Sequence, residues 1–196
     1  FAKYVYDNHF STKKKLTVET TKGVIILSIE DNGEVRVNMG IPHFTPTEIP
    51  FITPEESTHY DIELEGNKIT FGALSMGNPH AVICVDHIKT APVQTIGAAM
   101  QQQPCFPNKV NVGFMEIESP TSIQLRVYER GVGETLACGT GACAAVAYGI
   151  VQNKLAPKVQ VSLPGGILTI EWAGKDQPLF MTGPAETVYQ GTIVLP

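Results

Sequence analysis

Short apolar runs rich in Val, Ile and Leu, separated by Gly, Asn and Pro, predict a chain built mostly from strands. Such runs cover 16–19, 24–30, 34–38, 68–75, 81–85, 110–117, 123–129, 159–163, 167–171 and 188–194. Asp31-Asn32-Gly33 joins two of them in a tight turn. Two segments predict helices. One, 92–103, has Pro92 in its first turn and stops before Pro104. The other, 142–152, is rich in Ala. Residues 1–8 predict the tail of a helix, with Tyr4 and Asn8 four apart and no capping residue ahead of them, as if the chain were cut into an element. Four prolines in 42–54 suggest an inter-domain linker.

The strand pattern repeats. At an offset of 143, Lys15 falls on Lys158, Leu16 on Val159, Val18 on Val161, Gly23 on Gly166, Val24 on Ile167 and Gly40 on Gly183. At an offset of 144, Tyr4 falls on Tyr148. A helix–strand–turn–strand–strand unit therefore occurs twice. The second copy has Cys138-Gly-Thr-Gly141 ahead of its helix, whose counterpart would lie five or six residues before Phe1. It also has about 67 residues between Phe71 and Cys138, so the first copy is expected to lack roughly 70 residues.

Composition narrows the classes. The 196 residues are 43% hydrophobic and 17% charged, which excludes a disordered chain. A net charge of −5 with only 14 Lys+Arg argues against nucleic acid as a partner. No apolar run reaches the ~20 residues of a membrane-spanning helix. Four cysteines without a CxxC pair suggest free thiols and a cytoplasmic location. The histidines and cysteines show no metal-ligand spacing.

The densest chemistry lies in Tyr128-Glu-Arg-Gly-Val-Gly-Glu-Thr-Leu-Ala-Cys-Gly-Thr-Gly-Ala-Cys143. A strand ends at Glu129-Arg130, a glycine-rich turn follows, and Cys138 stands where a helix begins. The unpaired N–H groups of a helix's first turn attract anions. Gly139 and Gly141 would let a carboxylate approach them. The same dipole favours a thiolate, so Cys138 is expected to have a lowered pKa and to be the most reactive thiol. Cys143, inside the helix, reads as a buried structural thiol. The segment is no phosphate loop, since it has no Gly-Lys-[Ser/Thr] ending, and it is a poor dinucleotide fingerprint. In Gly77-Asn-Pro-His80, Asn78 offers a donor and an acceptor to an amino acid, and His80 could exchange a proton with a thiol. Read alone, Asn-Pro is a common turn and the reading of His80 as an inert residue comes first. Asn111, in Asn108-Lys-Val-Asn-Val-Gly113, faces the same choice.

Together, Gly77-Asn-Pro-His-Ala-Val, Asn111-Val-Gly-Phe-Met, Tyr128-Glu-Arg-Gly-Val-Gly-Glu-Thr and Ala137-Cys-Gly-Thr-Gly-Ala-Cys resemble the diaminopimelate epimerase family, amino-acid racemases that use no pyridoxal phosphate. The resemblance spans the chain. It implies an α/β (α+β) fold of two pseudo-symmetric halves, each a curved, barrel-like sheet around a central helix. Residues 1–38 plus 184–196 would be a remnant of the first half, incomplete at its start, and 39–183 the second half. The strands at 188–195 would return to the first half. It implies interconversion of LL- and meso-diaminopimelate by two cysteines, with no cofactor and no metal, in lysine and peptidoglycan precursor synthesis. Cys138 would be one of the two bases, with Glu129 and His80 tuning the thiols. Gly139 and Thr140 would hold the α-carboxylate, and Asn78, Asn111 and Arg130 the distal end. The backbone of Glu129 would also meet the amino group. A cytoplasmic homodimer without nucleic-acid or membrane partners is implied for the full-length protein. The first catalytic cysteine is absent from these 196 residues, so the chain alone is expected to be inactive. Other expectations are a different cofactor-independent racemase or isomerase on this scaffold, or a non-catalytic ligand-binding or assembly fragment.

Overall fold

The sequence repeat corresponds to repeated structure. The computed structural model describes residues 1–20, 23–64 and 66–194. Its first compact unit comprises Phe1–Asn38 and Thr182–Pro196. Helix α1 (Ala2–Asp7) precedes strands β1 (Lys15–Thr20), β2 (Gly23–Ile29) and β3 (Val35–Asn38), which form an antiparallel meander. Glu30 and Glu34 close the β2–β3 turn, where Gly33 supplies φ +84°. Ala2 of α1 packs with Leu27 and Ile29 of β2.

The second unit is Met39–Met181. In it, β4 (Tyr60–Leu64), β5 (Asn67–Ser75) and β6 (Pro79–Cys84) lead to helix α2 (Val93–Gln101). Strands β7 (Asn111–Ser119), β8 (Ser122–Glu129) and β9 (Gly133–Thr135) lead to α3 (Gly139–Val151). Strands β10 (Lys158–Leu163), β11 (Gly166–Trp172) and β12 (Leu179–Gly183) complete it. Strands β10 and β11 begin and end 143 residues after β1 and β2 and pair in the same register: Lys15 lies opposite Ser28, and Lys158 opposite Glu171.

The sheet of this unit runs β12-β11-β10-β8-β7-β6-β5-β4, with β9 added to β8. Strand pairs β6–β7 and β8–β10 are parallel. The sheet curves around α3, whose residues Gly141–Gly149 are all buried, against β5, β6, β7, β8 and β11. A helix this enclosed needs small residues, and Ala-Cys-Ala-Ala-Val-Ala supplies them. Alternate strand residues divide between two cores. Leu74, Met115, Leu125 and Val127 face α3, while Phe71, Ala73, Val112 and Phe114 pack with α2 and the aromatics Phe51, Tyr60 and Phe106.

Several sequence expectations change. Residues 42–54 are no linker: they lie inside the second unit, with Ile49 and Phe51 buried in the α2 core. The prolines shape a segment that two apolar anchors hold down. Residues 188–194 form no strand; Val188, Ile193 and Val194 are exposed, and no strand pairs with them among the described residues. Leu195 lies outside the described residues. Helix α3 starts three residues earlier than its sequence pattern suggests, because burial outweighs the poor helix propensity of Gly139 and Gly141. Among the described residues no helix is long and apolar enough to cross a membrane.

Candidate active site

The parallel β6–β7 pair sets His80 beside Asn111. Strand β8 runs antiparallel to β7, so its end, Glu129, reaches the edge where β6 and β7 begin. Helix α3 starts at this edge too, with Cys138 as its N-cap residue. Four separated sequence motifs thus meet at one end of the curved sheet.

Cys138 is 5% exposed. Its Sγ donates to Glu129 Oε2 at 3.1 Å and lies 3.8 Å from Thr140 Oγ1. Glu129 Oε1 accepts the Thr135 hydroxyl at 2.6 Å. Asn78 Nδ2 donates to Thr140 Oγ1 at 3.3 Å, and Asn78 Oδ1 accepts from His80 Nε2 at 3.1 Å. A directed chain of polar groups therefore runs His80, Asn78, Thr140, Cys138, Glu129. The asparagine amide orientation fixes the proton of His80 on Nε2.

The arrangement reverses the expected thiol acidity. Burial pushes the Cys138 thiol up to about 11, and its hydrogen bond to Glu129 adds to the shift. The Gly141 N–H and the Thr140 hydroxyl pull the other way and lose. Helix-terminus activation assumes a sulfur facing water; this one is enclosed beside a carboxylate. Cys138 is therefore a thiol at neutral pH. Of the four cysteines, Cys84 is the exposed one. A Cβ at Gly141 would lie 3.2 Å from Cys138 Sγ and 3.0 Å from Val127, and one at Gly139 would lie 3.0 Å from Met181 Sδ. Their bareness makes room for these protein atoms.

The model of the diaminopimelate epimerase family matches residues 72–188, which include all of these groups. The chain is 52% identical over 195 residues to the diaminopimelate epimerase of Nitrosomonas europaea, covering 100% of this chain and 71% of that protein. It is 50% identical to the one from Teredinibacter turnerae, with the same coverage. The chain belongs to the diaminopimelate epimerase family. Its relatives are isomerases by name. The fold is shared more widely. A hydroxyproline epimerase from Agrobacterium vitis superposes with TM-score 0.65 at 16% identity, over 92% of this chain and 61% of that one. A phenazine biosynthesis protein from Enterococcus faecalis gives TM-score 0.60 at 18% identity, over 98% and 70%.

The distal-end candidates divide. Asn78 and Arg130 line a cavity of about 450 Å³ with His43, Glu48, Ser75 and Asn108. Arg130 Nη1 is held by the Asn108 carbonyl at 3.0 Å. Asn111 lies deeper, 4% exposed, and its amide holds the backbone: Nδ2 donates to the Pro79 carbonyl, and Oδ1 accepts the Arg130 N–H at 2.9 Å. It places Arg130 and the Asn-Pro-His turn relative to each other. His43, which reads as structural in the sequence for want of a partner pattern, and Glu48 also line this cavity. Their ring and carboxylate meet at 3.1 Å, and the histidine's backbone pairs with Ser75 at the end of β5. Thr135, in the Gly-Glu-Thr of the glycine-rich turn, carries no signal of its own in the sequence. Gly133 lies opposite Glu129 and has no side chain, so the carboxylate can lean across to Thr135 on the diagonal.

His80 is 1% exposed, and burial, helped by the Arg130 charge, pushes its pKa down to about 3. It stays neutral at working pH, which removes the proton-exchange role read from the sequence. Its contact is Asn78, not the thiol. An unfolded histidine takes a proton near 6.5, whereas folded His80 takes one only near 3. The contribution of His80 to stability is therefore complete above about pH 6.5 and is lost as pH falls toward 3. Urea midpoints for wild type and His80→Gln should converge across that window as the pH is lowered. Parallel pH profiles for the two proteins would show that His80 is not held neutral.

Proposed function

We propose that this chain supplies one catalytic half of a diaminopimelate epimerase, acting on LL- and meso-diaminopimelate without an added cofactor. The observation that carries the reading is the Cys138 S–H, enclosed at the start of α3 and donated to Glu129. A protonated thiol suits delivery of a proton to the α-carbon from one face. The sulfur left behind as thiolate is met by the Gly141 N–H and the Thr140 hydroxyl, both of which favour the anion. In the reverse direction the same sulfur takes the proton. The substrate α-carboxylate docks on the Gly139 and Thr140 N–H groups, where the helix dipole opposes the charge that develops on deprotonation. Its distal carboxylate lies toward Arg130 and Asn78. Glu129 orients the thiol and offers its backbone to the amino group. His80 sets Asn78 and, through it, Thr140.

Inversion needs a second acid–base group on the opposite face. The residues of the first unit, Phe1–Asn38 and Thr182–Pro196, contain no cysteine. We therefore expect these 196 residues to be inactive as an epimerase on their own. The cytoplasmic homodimer implied by the family resemblance belongs to the same reading.

The test is incubation with LL-diaminopimelate in D₂O without added cofactor, using this chain and a protein of its relatives' full length that carries it. The long protein should form deuterated meso product. The 196-residue chain should be slower by more than the ~10²–10⁴-fold that one acid–base group contributes, because desolvation is weakened too. Deuterium uptake with retained configuration would support a surviving half-site. Meso product from the short chain at the rate of the long one would overturn the two-base reading.

A further inference from the structure

Glu129 has two carboxylate oxygens and two partners. Oε2 receives Cys138, and Oε1 receives Thr135 Oγ1 at 2.6 Å. Thr135 is itself fixed. It ends β9, paired to β8 through Val127, and its hydroxyl also lies 3.4 Å from the Ala137 carbonyl. One residue before it, Glu134 forms a two-pronged, largely buried ion pair with Arg126 of β8, with N···O distances of 2.6 and 2.9 Å. The same guanidinium donates to the Ile88 carbonyl at 3.0 Å. The short strand is thereby clamped to β8, and the threonine hydroxyl cannot drift from the carboxylate.

We propose that Thr135 is a positioning residue for Cys138: its hydroxyl holds Glu129 in the one orientation that receives the cysteine S–H. The catalytic consequence rests on the epimerase reading, but the geometry and its first test do not. An ionised carboxylate held beside the sulfur keeps the proton on the thiol. Without the Thr135 hydroxyl the carboxylate is free to swing from the sulfur toward water. That removes the pressure that keeps Cys138 protonated. The other titratable neighbours are Cys143 on the same helix and His80 on β6, three hydrogen bonds away through Asn78 and Thr140, and neither is bonded to Thr135.

The experiment uses the 196-residue chain with Cys84→Ser and Cys105→Ser, so that Cys138 is the accessible thiol. Iodoacetamide labelling of Cys138, read by peptide mass against pH, gives the midpoint of the thiol. Thr135→Val should lower that midpoint by at least one unit, raising the labelling rate at pH 8.5 about tenfold. Thr135→Ser should restore the parent profile, since it keeps the hydroxyl. In a Glu129→Gln background Thr135→Val should add nothing. Thr135→Ala serves if the valine variant does not fold. The proposal is overturned if the valine or alanine variant keeps the parent midpoint, if serine fails to restore it, or if the shift persists in Glu129→Gln. In the long protein, Thr135→Val should lower kcat with KM little changed. A long protein without substitutions that shows no epimerase activity, with the thiol profile as stated, would defeat the function and leave the positioning role standing.

Discussion

In a protein of the relatives' full length, Cys138→Ala is expected to lower epimerisation by about 10⁴-fold or more, the upper end of what one acid–base group supplies. Cys138 has no substitute at its position. Thr140 Oγ1, the nearest polar side chain besides Glu129, is 3.8 Å from the sulfur and too weak an acid to protonate carbon. Glu129 Oε2 lies 3.1 Å from the sulfur, and its other oxygen is held by Thr135. Cys143 is wholly buried within the helix. Cys84→Ala, at an exposed position at the end of β6, should leave the rate unchanged. The measurement is meso product by chiral chromatography, with circular dichroism showing that the variant is folded. Substantial activity in Cys138→Ala would remove this cysteine from the mechanism. Glu129→Gln separates the roles further. It keeps a group of the same shape but removes the charge, so the thiol midpoint should fall while the loss of rate stays smaller than for Cys138→Ala.

What the sequence made legible and what it hid follow one division. Strands β1, β2, β10 and β11 were legible because the two copies of the repeat reinforce each other at a fixed offset; their pairing register was not. The site's members were legible because each sits in a motif with its own turn chemistry, and the parallel β6–β7 register then joins motifs that are about 30 residues apart. Three-dimensional enclosure was not legible. The helix-terminus argument gave Cys138 the wrong sign of shift because its side chain is enclosed in the core around α3 and beside Glu129, which no local motif shows. His80 went the same way: its residue type suggests a titrating group, and a position on a strand buried on both faces forbids it. The 42–54 segment misled because proline content speaks only for the backbone, whereas Ile49 and Phe51 decide where that backbone lies. Strand β4 was overlooked although Tyr60, Ile62 and Leu64 alternate inward, and β9 is too short to register as a pattern.

Gly72→Ala is expected to be among the most destabilising single-methyl changes in the second unit. Gly72 lies in β5, and its bare face lets the ring of Tyr148 lie directly on the strand. A Cβ there would fall 2.2 Å from Tyr148 Cδ2 and Cε2. Tyr148 cannot step aside, because it is 6% exposed within α3 and the sheet surrounds that helix. Overpacking of this kind costs about 3 kcal/mol or more, toward the upper end of its usual range. For a chain of this length that lowers Tm by about 6–12 °C. Gly113→Ala is the matched control. It too is a strand glycine, but its new Cβ meets Leu125 Cδ1 only at 3.5 Å, an ordinary contact. It should change Tm by no more than about 2 °C, with a gain as plausible as a loss since alanine restricts the unfolded chain. Pairing Gly72→Ala with Tyr148→Ala should cost less than the two changes summed, because the smaller residue removes the clash. The site should report the same strain. Tyr148 and Cys138 share α3, so a displaced helix would move the sulfur from Glu129 and alter the Cys138 labelling profile in Gly72→Ala but not in Gly113→Ala. Equal Tm values for the two glycine variants would show that the sheet accommodates Tyr148 without that bare face.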